Sequence, residues 1–353
     1  MEVELSRASI RPSAGHHQLL TRRRTPTNVN VPRRRFLHLV AIGAAALPFD
    51  PRVARSQTYP SRPVRIVVGF PAGGAVDVAA RLIGQCLTER LGQTFVIENR
   101  PGAAGNIATE AVLRAQPDGH TLLLVGAFNA INATLYRLNF NFVRDLAPVG
   151  SINRNPLALL VNSSSPVKSV VELVKYAKGS PGKLNMASAG NGTPQHVAGE
   201  LFKMMAGVDM LRVPYPGSAP ALTALLGGQV DVSFETLLAS LEHIKTGKVR
   251  ALAVTTANPS DALPDIPPIS EFLPGYEATG WSGIGAPRDA PIEIVLKLNR
   301  EINACLADPA IRSRLAALGG SAHATSPAEF AKFISDETEK WAKVIRFAGI
   351  KAE

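Results

Sequence analysis

The sequence is poor in cysteine and lacks any long apolar run. Its 353 residues include only two cysteines, Cys86 and Cys305. Two cysteines are too few for a disulfide framework or a thiolate zinc site, and no apolar run reaches the roughly 18 residues of a membrane-spanning helix. With 46% hydrophobic and 19% charged residues, the composition excludes disordered, collagen-like and coiled-coil proteins and predicts about two globular domains.

Motifs of common enzymes are missing as well. The sequence contains no G-x-S-x-G nucleophile elbow, no H-E-x-x-H zinc motif, no P-loop and no G-x-G-x-x-G dinucleotide fingerprint. The histidines beyond residue 57 are scattered without the spacing of metal ligands, namely His120, His196, His243 and His323. We therefore expect no catalytic residue, no metal site and no cofactor.

Positive charge is concentrated at the beginning of the chain. The formal net charge is +10, and residues 1–56 alone contribute +7 from ten arginines and three acidic residues. Arg33–Arg35 precede the apolar run Phe36–Leu47 and the small-residue end Ala54–Ser56, an arrangement typical of a secretory signal. We predict that residues 1–56 are an export signal with an upstream extension, cleaved near Ser56. A mitochondrial-type presequence and a basic tail are the alternatives.

The start of that apolar run fits the twin-arginine pattern R-R-x-F-L, which is a receptor-read export address. Export predicts a periplasmic protein in an oxidising compartment. There Cys86 and Cys305 either form a disulfide or remain two separate thiols, since their distance cannot be read from sequence. The remaining net charge of +3 on residues 57–353 gives no reason to expect nucleic-acid binding.

From residue 63 onwards, short apolar strands alternate with amphipathic helices. Such alternation with short connections predicts α/β layers with mainly parallel sheets. No low-complexity linker separates the halves, so we expect two α/β lobes joined by hinge strands. The predicted boundaries give residues 57–157 plus 256–353 to the first lobe and residues 158–255 to the second.

Two glycine-rich loops each connect a predicted strand to a helix. The first is Phe70–Asp77 and the second is Ser188–His196. Glycine lets a backbone approach a ligand, and the first N–H groups of a helix point outward with partial positive charge. One such loop is often purely structural. Two of them, one per lobe, predict a cleft that holds an acid from both sides.

Three ionisable residues, two in these loops and one at the end of a later predicted strand, need separate interpretation. Asp77 is either a general base or an acid placed in the first helical turn by the helix dipole. His196 lies either near a ligand or merely at a packed helix start. Glu235 would repel a carboxylate, so in a cleft we expect it to meet a hydroxyl, an amine or a water.

The order of the motifs resembles the Bug-type solute receptors, the substrate-binding subunits of tripartite tricarboxylate transporters. The resemblance covers about residues 58–353. It is carried by the segments Tyr59–Arg65, Phe70–Asp77, Glu98–Gly102, Pro117–Gly119, Val213–Tyr215, Leu226–Asp231, Gly247–Thr255 and Leu263–Asp265.

The resemblance implies a periplasmic-binding-protein fold of type II, a small carboxylate ligand between the lobes, and delivery to membrane permease subunits. We also expect a monomer. The residues implied to bind the ligand are Phe70, Ala72, Gly73, Gly74, Asp77, Phe128, Asn129, Gly190, Asn191, Gly192, Thr193, His196, Tyr215, Gly217 and Glu235. Phe128 replaces a small polar residue usual in the family, which favours a smaller or aromatic ligand.

Two other functions remain open from the sequence. One is an α/β hydrolase or isomerase that uses Asp77 and His196. The other is a signalling receptor that presents its bound ligand to a membrane sensor.

Overall fold

The computed structural model describes residues 59–352. The predicted export signal and its cleavage site lie outside the described residues. The described residues form one compact unit. No helix in the described part of the chain is long and apolar enough to cross a membrane.

Strands of the described residues form two sheets. The first sheet has the order β11-β4-β10-β3-β1-β2 and the second has the order β7-β6-β8-β5-β9. The strands are β1 (Val64–Val68), β2 (Phe95–Asn99), β3 (Thr121–Gly126), β4 (Leu146–Asn155), β5 (Leu157–Asn162), β6 (Asn185–Ala189), β7 (Leu211–Tyr215), β8 (Val232–Thr236), β9 (Val249–Val254), β10 (Gly280–Pro287) and β11 (Ser321–Ala322).

Helices cover the faces of both sheets. They are α1 (Ala75–Leu91), α2 (Asn106–Leu113), α3 (Ala127–Leu135), α4 (Phe142–Asp145), α5 (Val170–Gly179), α6 (Pro194–Ala206), α7 (Ser218–Leu226), α8 (Leu237–Lys245), α9 (Ile292–Ala307), α10 (Pro309–Ala317) and α11 (Pro327–Ala348). The predicted architecture of two α/β lobes is confirmed.

The sheets are mixed, which corrects the expectation of mainly parallel pairing. β1 pairs in parallel with β2 and β3, and β6 with β7 and β8. β10 is antiparallel to β3 and β4, and β5 is antiparallel to β8 and β9. The reason is topological. Each inserted strand enters its sheet from the other lobe, so it runs against the strands that the βαβ units have already aligned.

The chain crosses between the sheets in two different ways. β4 continues into β5 through the single residue Pro156, which is the predicted type of hinge strand. The return from β9 to β10 runs through residues 255–279, in which the structure has only the short 3₁₀ turn Ile269–Glu271. Leu157 N donates to Thr255 Oγ1 at 3.0 Å, so the two crossings are hydrogen-bonded to each other.

Several helix ends form as their residues predict. Thr193 caps α6 by accepting from the backbone N–H of His196, and Pro194 takes the first helical position. Ser326 and Glu329 form a reciprocal capping box at the start of α11. Gly217 occupies the cap of α7, and Ser218 is the first helical residue.

The largest core runs through both lobes. It joins one face of the first sheet, including Val67 and Leu123, to Leu159 and Phe234 of the second. α11 packs on α3 and β4 in the first lobe and also on α6 in the second. This shared core places the carboxyl ends of β1, β3, β6 and β8 around one interlobe space.

The two cysteines form a disulfide. Cys86 on α1 is bonded to Cys305 on α9, with their Cα atoms 6.1 Å apart. The bond joins the two chain segments that build the first sheet, and it resolves the alternative that the sequence left open.

Candidate functional site

A cavity of about 290 Å³ lies between the lobes. Both sheets contribute to it, and the hinge residues on either side of Pro156 form part of its wall. Its lining residues are Phe70, Ala75, Val76, Ala104, Ala127, Phe128, Asn132, Asn155, Leu157, Asn191, Gly192, Thr193, Pro194, Gln195, Thr236, Gly280 and Trp281.

Four helices begin at this cavity. α1, α3, α6 and α8 follow β1, β3, β6 and β8, and a residue at or next to the start of each helix lines the space. The first N–H groups of a helix have no partner within it and carry partial positive charge. The arrangement is therefore suited to an anion held by backbone amides, as the two glycine-rich loops predicted.

In the first loop, Asp77 shapes the backbone. Its side chain is buried, and its carboxylate accepts hydrogen bonds from Gly73 N at 2.9 Å, from Asn99 Nδ2 at 2.8 Å and from the guanidinium of Arg81. Burial raises the pKa of the carboxyl, but these hydrogen bonds outweigh it and lower the pKa to about 2. Asp77 is thus an ionised, fully engaged group and does not line the cavity.

In the second loop, the His196 side chain binds the loop backbone, as the Asp77 side chain does in the first loop. The backbone N–H of Gly192 donates to His196 Nδ1 at 3.1 Å. Burial, together with the nearby charges of Arg212 and Lys203, lowers the pKa of this imidazole to about 3. His196 is therefore neutral and holds the loop, and it does not line the cavity.

Two phenyl rings form part of the apolar wall of the cavity. Phe70 and Phe128 meet edge to face with their ring centroids 4.7 Å apart. The neighbouring Asn129 points inward, since Gly126 N donates to its Oδ1 and its Nδ2 donates to Thr109 Oγ1, both at 2.9 Å. Asn129 thus fixes the start of α3, while Phe128 faces the space that a ligand would fill.

A strained backbone segment contributes Ala104 to the wall. Ala103 and Ala104 have φ angles of 45° and 54°, a region that residues with a Cβ seldom adopt. Asn132 Nδ2 donates to Ala104 O at 2.9 Å and helps to hold this conformation. Strain of this kind is commonly found at functional sites.

Glu235 lies behind the cavity wall. It is fully buried on β8, where Ser233 Oγ donates to its Oε1 at 3.1 Å and Oε2 has no partner. Burial raises the pKa of this carboxyl to about 7, although the nearby hydroxyl groups of Ser218 and Ser233 act in the opposite direction. Gln195 Nε2, in the cavity wall, donates to Ser218 Oγ at 3.0 Å.

We predict that Glu235→Gln stabilises the fold by about 3 kcal/mol at pH 8 and changes it little at pH 4.5. The folded protein keeps the proton up to about pH 7, whereas the unfolded chain releases it near pH 4.5. The free energy of unfolding of the wild type therefore falls as the pH rises from 4.5 to about 7, and it stays constant above that pH. Each tenfold change in a protonation equilibrium corresponds to about 1.4 kcal/mol.

Urea unfolding of the variant and the wild type between pH 4.5 and 8 measures this difference. The buried neutral His196 acts in the opposite sense between pH 3 and 6.5, but it is present in both proteins and cancels. Glu339→Gln, which removes the same charge from an exposed position on α11, is the matched control. A Glu235→Gln effect that does not vary with pH would contradict the prediction.

Five of the fifteen residues predicted for the site line the cavity, and ten do not. Phe70, Phe128, Asn191, Gly192 and Thr193 line it. The other predicted residues do not line it, namely Ala72, Gly73, Gly74, Asp77, Asn129, Gly190, His196, Tyr215, Gly217 and Glu235.

Other wall residues were not predicted. Gln195 and Thr236 lie at helix starts that directly follow strands, and this position could have identified them as candidate ligand-binding residues. Asn155 and Leu157 flank the hinge proline, and Gly280 and Trp281 belong to a strand that the sequence pattern did not reveal.

Residues 79–350 match TctC, the tripartite tricarboxylate transporter family receptor. The chain belongs to this family. TctC proteins are the binding proteins of transporters and not enzymes, which agrees with the expectation drawn from the missing catalytic motifs. BugT of Bordetella pertussis is 36% identical over 300 residues, covering 84% of this chain and 92% of that protein.

Two solved relatives of this TctC protein carry ligands. An R. palustris protein solved with adipate is 39% identical, with a TM-score of 0.69, and the match covers 83% of this chain and 99% of that one. MatC from Rhodopseudomonas palustris, solved with bound malate, is 33% identical with a TM-score of 0.67, covering 81% and 100%. The predicted family and periplasmic-binding fold are confirmed, and the protein is a periplasmic solute receptor.

Proposed function

We propose that the protein binds a small carboxylate in the interlobe cavity and delivers it to the permease of a tripartite tricarboxylate transporter. The observation that carries this proposal is the convergence of four helix starts on one cavity between the lobes. Such starts favour an anion through backbone N–H groups. The adipate and malate bound by the two R. palustris relatives support the same ligand chemistry.

The mechanism follows from the hinge. A ligand that contacts both lobes favours the conformation in which both contacts are made, so binding shifts the population toward the closed form. Pro156 and the hydrogen bond from Leu157 N to Thr255 place the two crossings side by side as the hinge. A permease would then bind the closed form in preference to the open one.

Several parts of the chain have a proposed role in this function. Residues 1–56 direct export through the twin-arginine route and are removed near Ser56. The lobes comprise residues 57–157 plus 256–353 and residues 158–255, and the receptor works as a monomer. The fifteen residues predicted for the site remain the proposed ligand-binding set, with the five that line the cavity as its centre.

Thermal unfolding with a panel of mono-, di- and tricarboxylates tests the proposal. A ligand at about 100 times its Kd is expected to stabilise the protein by about 2.7 kcal/mol. The corresponding uncharged methyl esters are the controls and are expected to have no effect, because the helix starts select for negative charge. A protein that no acid in the panel stabilises would contradict the proposed function.

A further inference from the structure

A groove of about 550 Å³ lies where the end of α11 meets α6 and β7. Its walls come from α6, from β7 and the turn before it, and from residues 347–351. Asn191 is the one described residue that lines both this groove and the interlobe cavity. The groove is therefore a separate space that the proposed function does not use.

Arg212 on β7 lines the groove with part of its guanidinium unpartnered. Its Nε and Nη2 atoms are buried, and neither donates a hydrogen bond to any described residue. Together they form one edge of the guanidinium, the geometry that holds a carboxylate or a phosphate through two parallel hydrogen bonds. Burying charged nitrogens without acceptors costs free energy. An oxyanion at this edge would remove that cost.

The comparable arginines of the same protein have partners. Three arginines of the described part of the chain are half-buried, and the two besides Arg212 are Arg154 and Arg250. Arg154 forms an ion pair with Glu277 at 2.6 Å. Arg250 donates three hydrogen bonds to carbonyl oxygens of residues 163–167. Arg212 differs from both, and it is the one of the three that lines this groove.

Acidic residues of the groove do not offset the charge of Arg212. Glu200 is buried and forms an ion pair with Lys203, with 3.1 Å between Oε2 and Nζ. Asp209 also lines the groove but is exposed, and so is Lys351. With Glu200 and Lys203 neutralising each other, Arg212 and Lys351 outweigh the one remaining acid. The wall is therefore net positive, which favours an anion.

The imidazole of His196 responds to this positive charge. His196 lines the groove, and its pKa is about 3 because burial, and then the nearby charges of Arg212 and Lys203, disfavour the protonated form. Positive charge is thus concentrated next to the loop that His196 holds through Gly192 N.

We propose that the groove is a second binding site and that it takes an inorganic oxyanion such as phosphate. Two oxygens of the anion would accept hydrogen bonds from Nε and Nη2 of Arg212, with the exposed Lys351 as a second cation. Charge-assisted hydrogen bonds of this bidentate kind are among the strongest in proteins. The inference goes beyond the proposed function, because an anion here does not occupy the interlobe cavity.

Isothermal titration with inorganic phosphate tests the site, with chloride used to keep the ionic strength constant. We expect Arg212→Gln to bind phosphate at least about tenfold more weakly than the wild type, because it loses charge-assisted hydrogen bonds. Arg114→Gln is the matched control. It removes the same charge at the end of α2, where the Arg114 side chain is 70% exposed, and is expected to keep wild-type affinity.

Two results of this titration would overturn the proposal. One is that the wild type does not bind phosphate. The other is that Arg212→Gln binds phosphate as tightly as the wild type, which would place the anion elsewhere, as in the interlobe cavity. If Arg212→Gln loses binding but no carboxylate stabilises the protein, the second site stands and the proposed function fails.

Arg212→Lys tests the bidentate contact. Lysine keeps the positive charge but offers a point charge instead of a planar edge, so its affinity for phosphate is expected to lie at least about threefold below that of the wild type and above that of Arg212→Gln. The phosphate-dependent rise in the thermal unfolding midpoint, measured within each variant, is expected to give the same ranking whatever the variant's own stability. Wild-type affinity in Arg212→Lys would overturn the assignment of the guanidinium edge.

Discussion

Replacing Gly192 with alanine is expected to weaken ligand binding by at least about tenfold and to lower the free energy of unfolding. Gly192 lies in the loop before α6, in the second lobe, and lines the interlobe cavity. Its φ angle is +66°, a left-handed conformation that costs a residue with a Cβ about 1–2 kcal/mol. Glycine is the residue that adopts it without strain.

The added methyl group would also meet the first lobe. A Cβ at Gly192 would lie 2.5 Å from Leu135 Cδ2 and 3.7 Å from Ile131 Cγ2, and both of these side chains belong to α3. Leu135 is buried in the core shared by the two lobes, so it can give way only by moving its neighbours. The lobes would then separate at the point where the cavity closes.

Gly207→Ala is the matched control for this experiment. Gly207 ends α6 with a φ angle of +60°, and a Cβ there would have no atom within 4 Å. This variant carries the same backbone cost without the contact to α3. We expect both variants to lose stability in chemical denaturation but only Gly192→Ala to lose affinity by titration calorimetry. Wild-type affinity in Gly192→Ala would show that this loop does not help to close the cavity.

Local sequence patterns predicted much of the fold because they report local physics. The strand before each glycine-rich loop, the helix after it and the cap at Thr193 all appear where the residues indicate them. These features depend on turn residues, helix caps and hydrophobic spacing within about ten residues. These features do not depend on contacts with the other lobe.

The strands of the interlobe connections could not be predicted in the same way. β10 is rich in glycine because neighbouring side chains occupy the space above it. A Cβ at Gly283 would collide with the ring of Phe330 on α11, and one at Gly285 would lie 2.6 Å from Leu146 Cδ1. Glycine is normally depleted in strands, so the sequence alone favours a loop there. The mixed pairing likewise depends on the crossings between the lobes, which no local sequence pattern reveals.

The candidate site was predicted by position but not by side-chain direction. Asp77 and His196 are close to the cavity in sequence, yet both turn back to bind the backbone of their own loops. A loop sequence identifies which residues are near a helix start, whereas their hydrogen-bond partners depend on the folded loop. The proposed enzyme reaction through these two residues is therefore unsupported, because neither lines the cavity.

Removing the disulfide is expected to lower the free energy of unfolding by about 2–5 kcal/mol. Cys86 and Cys305 are 219 residues apart in sequence, and the chain between them includes the whole of the second sheet. The first lobe is thus built from two segments that must meet after a very long loop has closed. A cross-link limits the unfolded chain most when the loop is long, and this loop is near the upper end of the chain-entropy range.

The measurement compares the wild type with Cys86→Ala/Cys305→Ala in urea, each with and without a reductant. We expect the double variant to unfold at a lower urea concentration and the reductant to affect only the wild type. Ligand affinity is expected to stay within about twofold in the double variant, because neither cysteine lines the cavity. Equal stability of the two proteins would mean that packing of α1 on α9 alone holds the segments together. The sequence left the pairing open because the 6.1 Å between the two Cα atoms arises only when both segments join the same lobe.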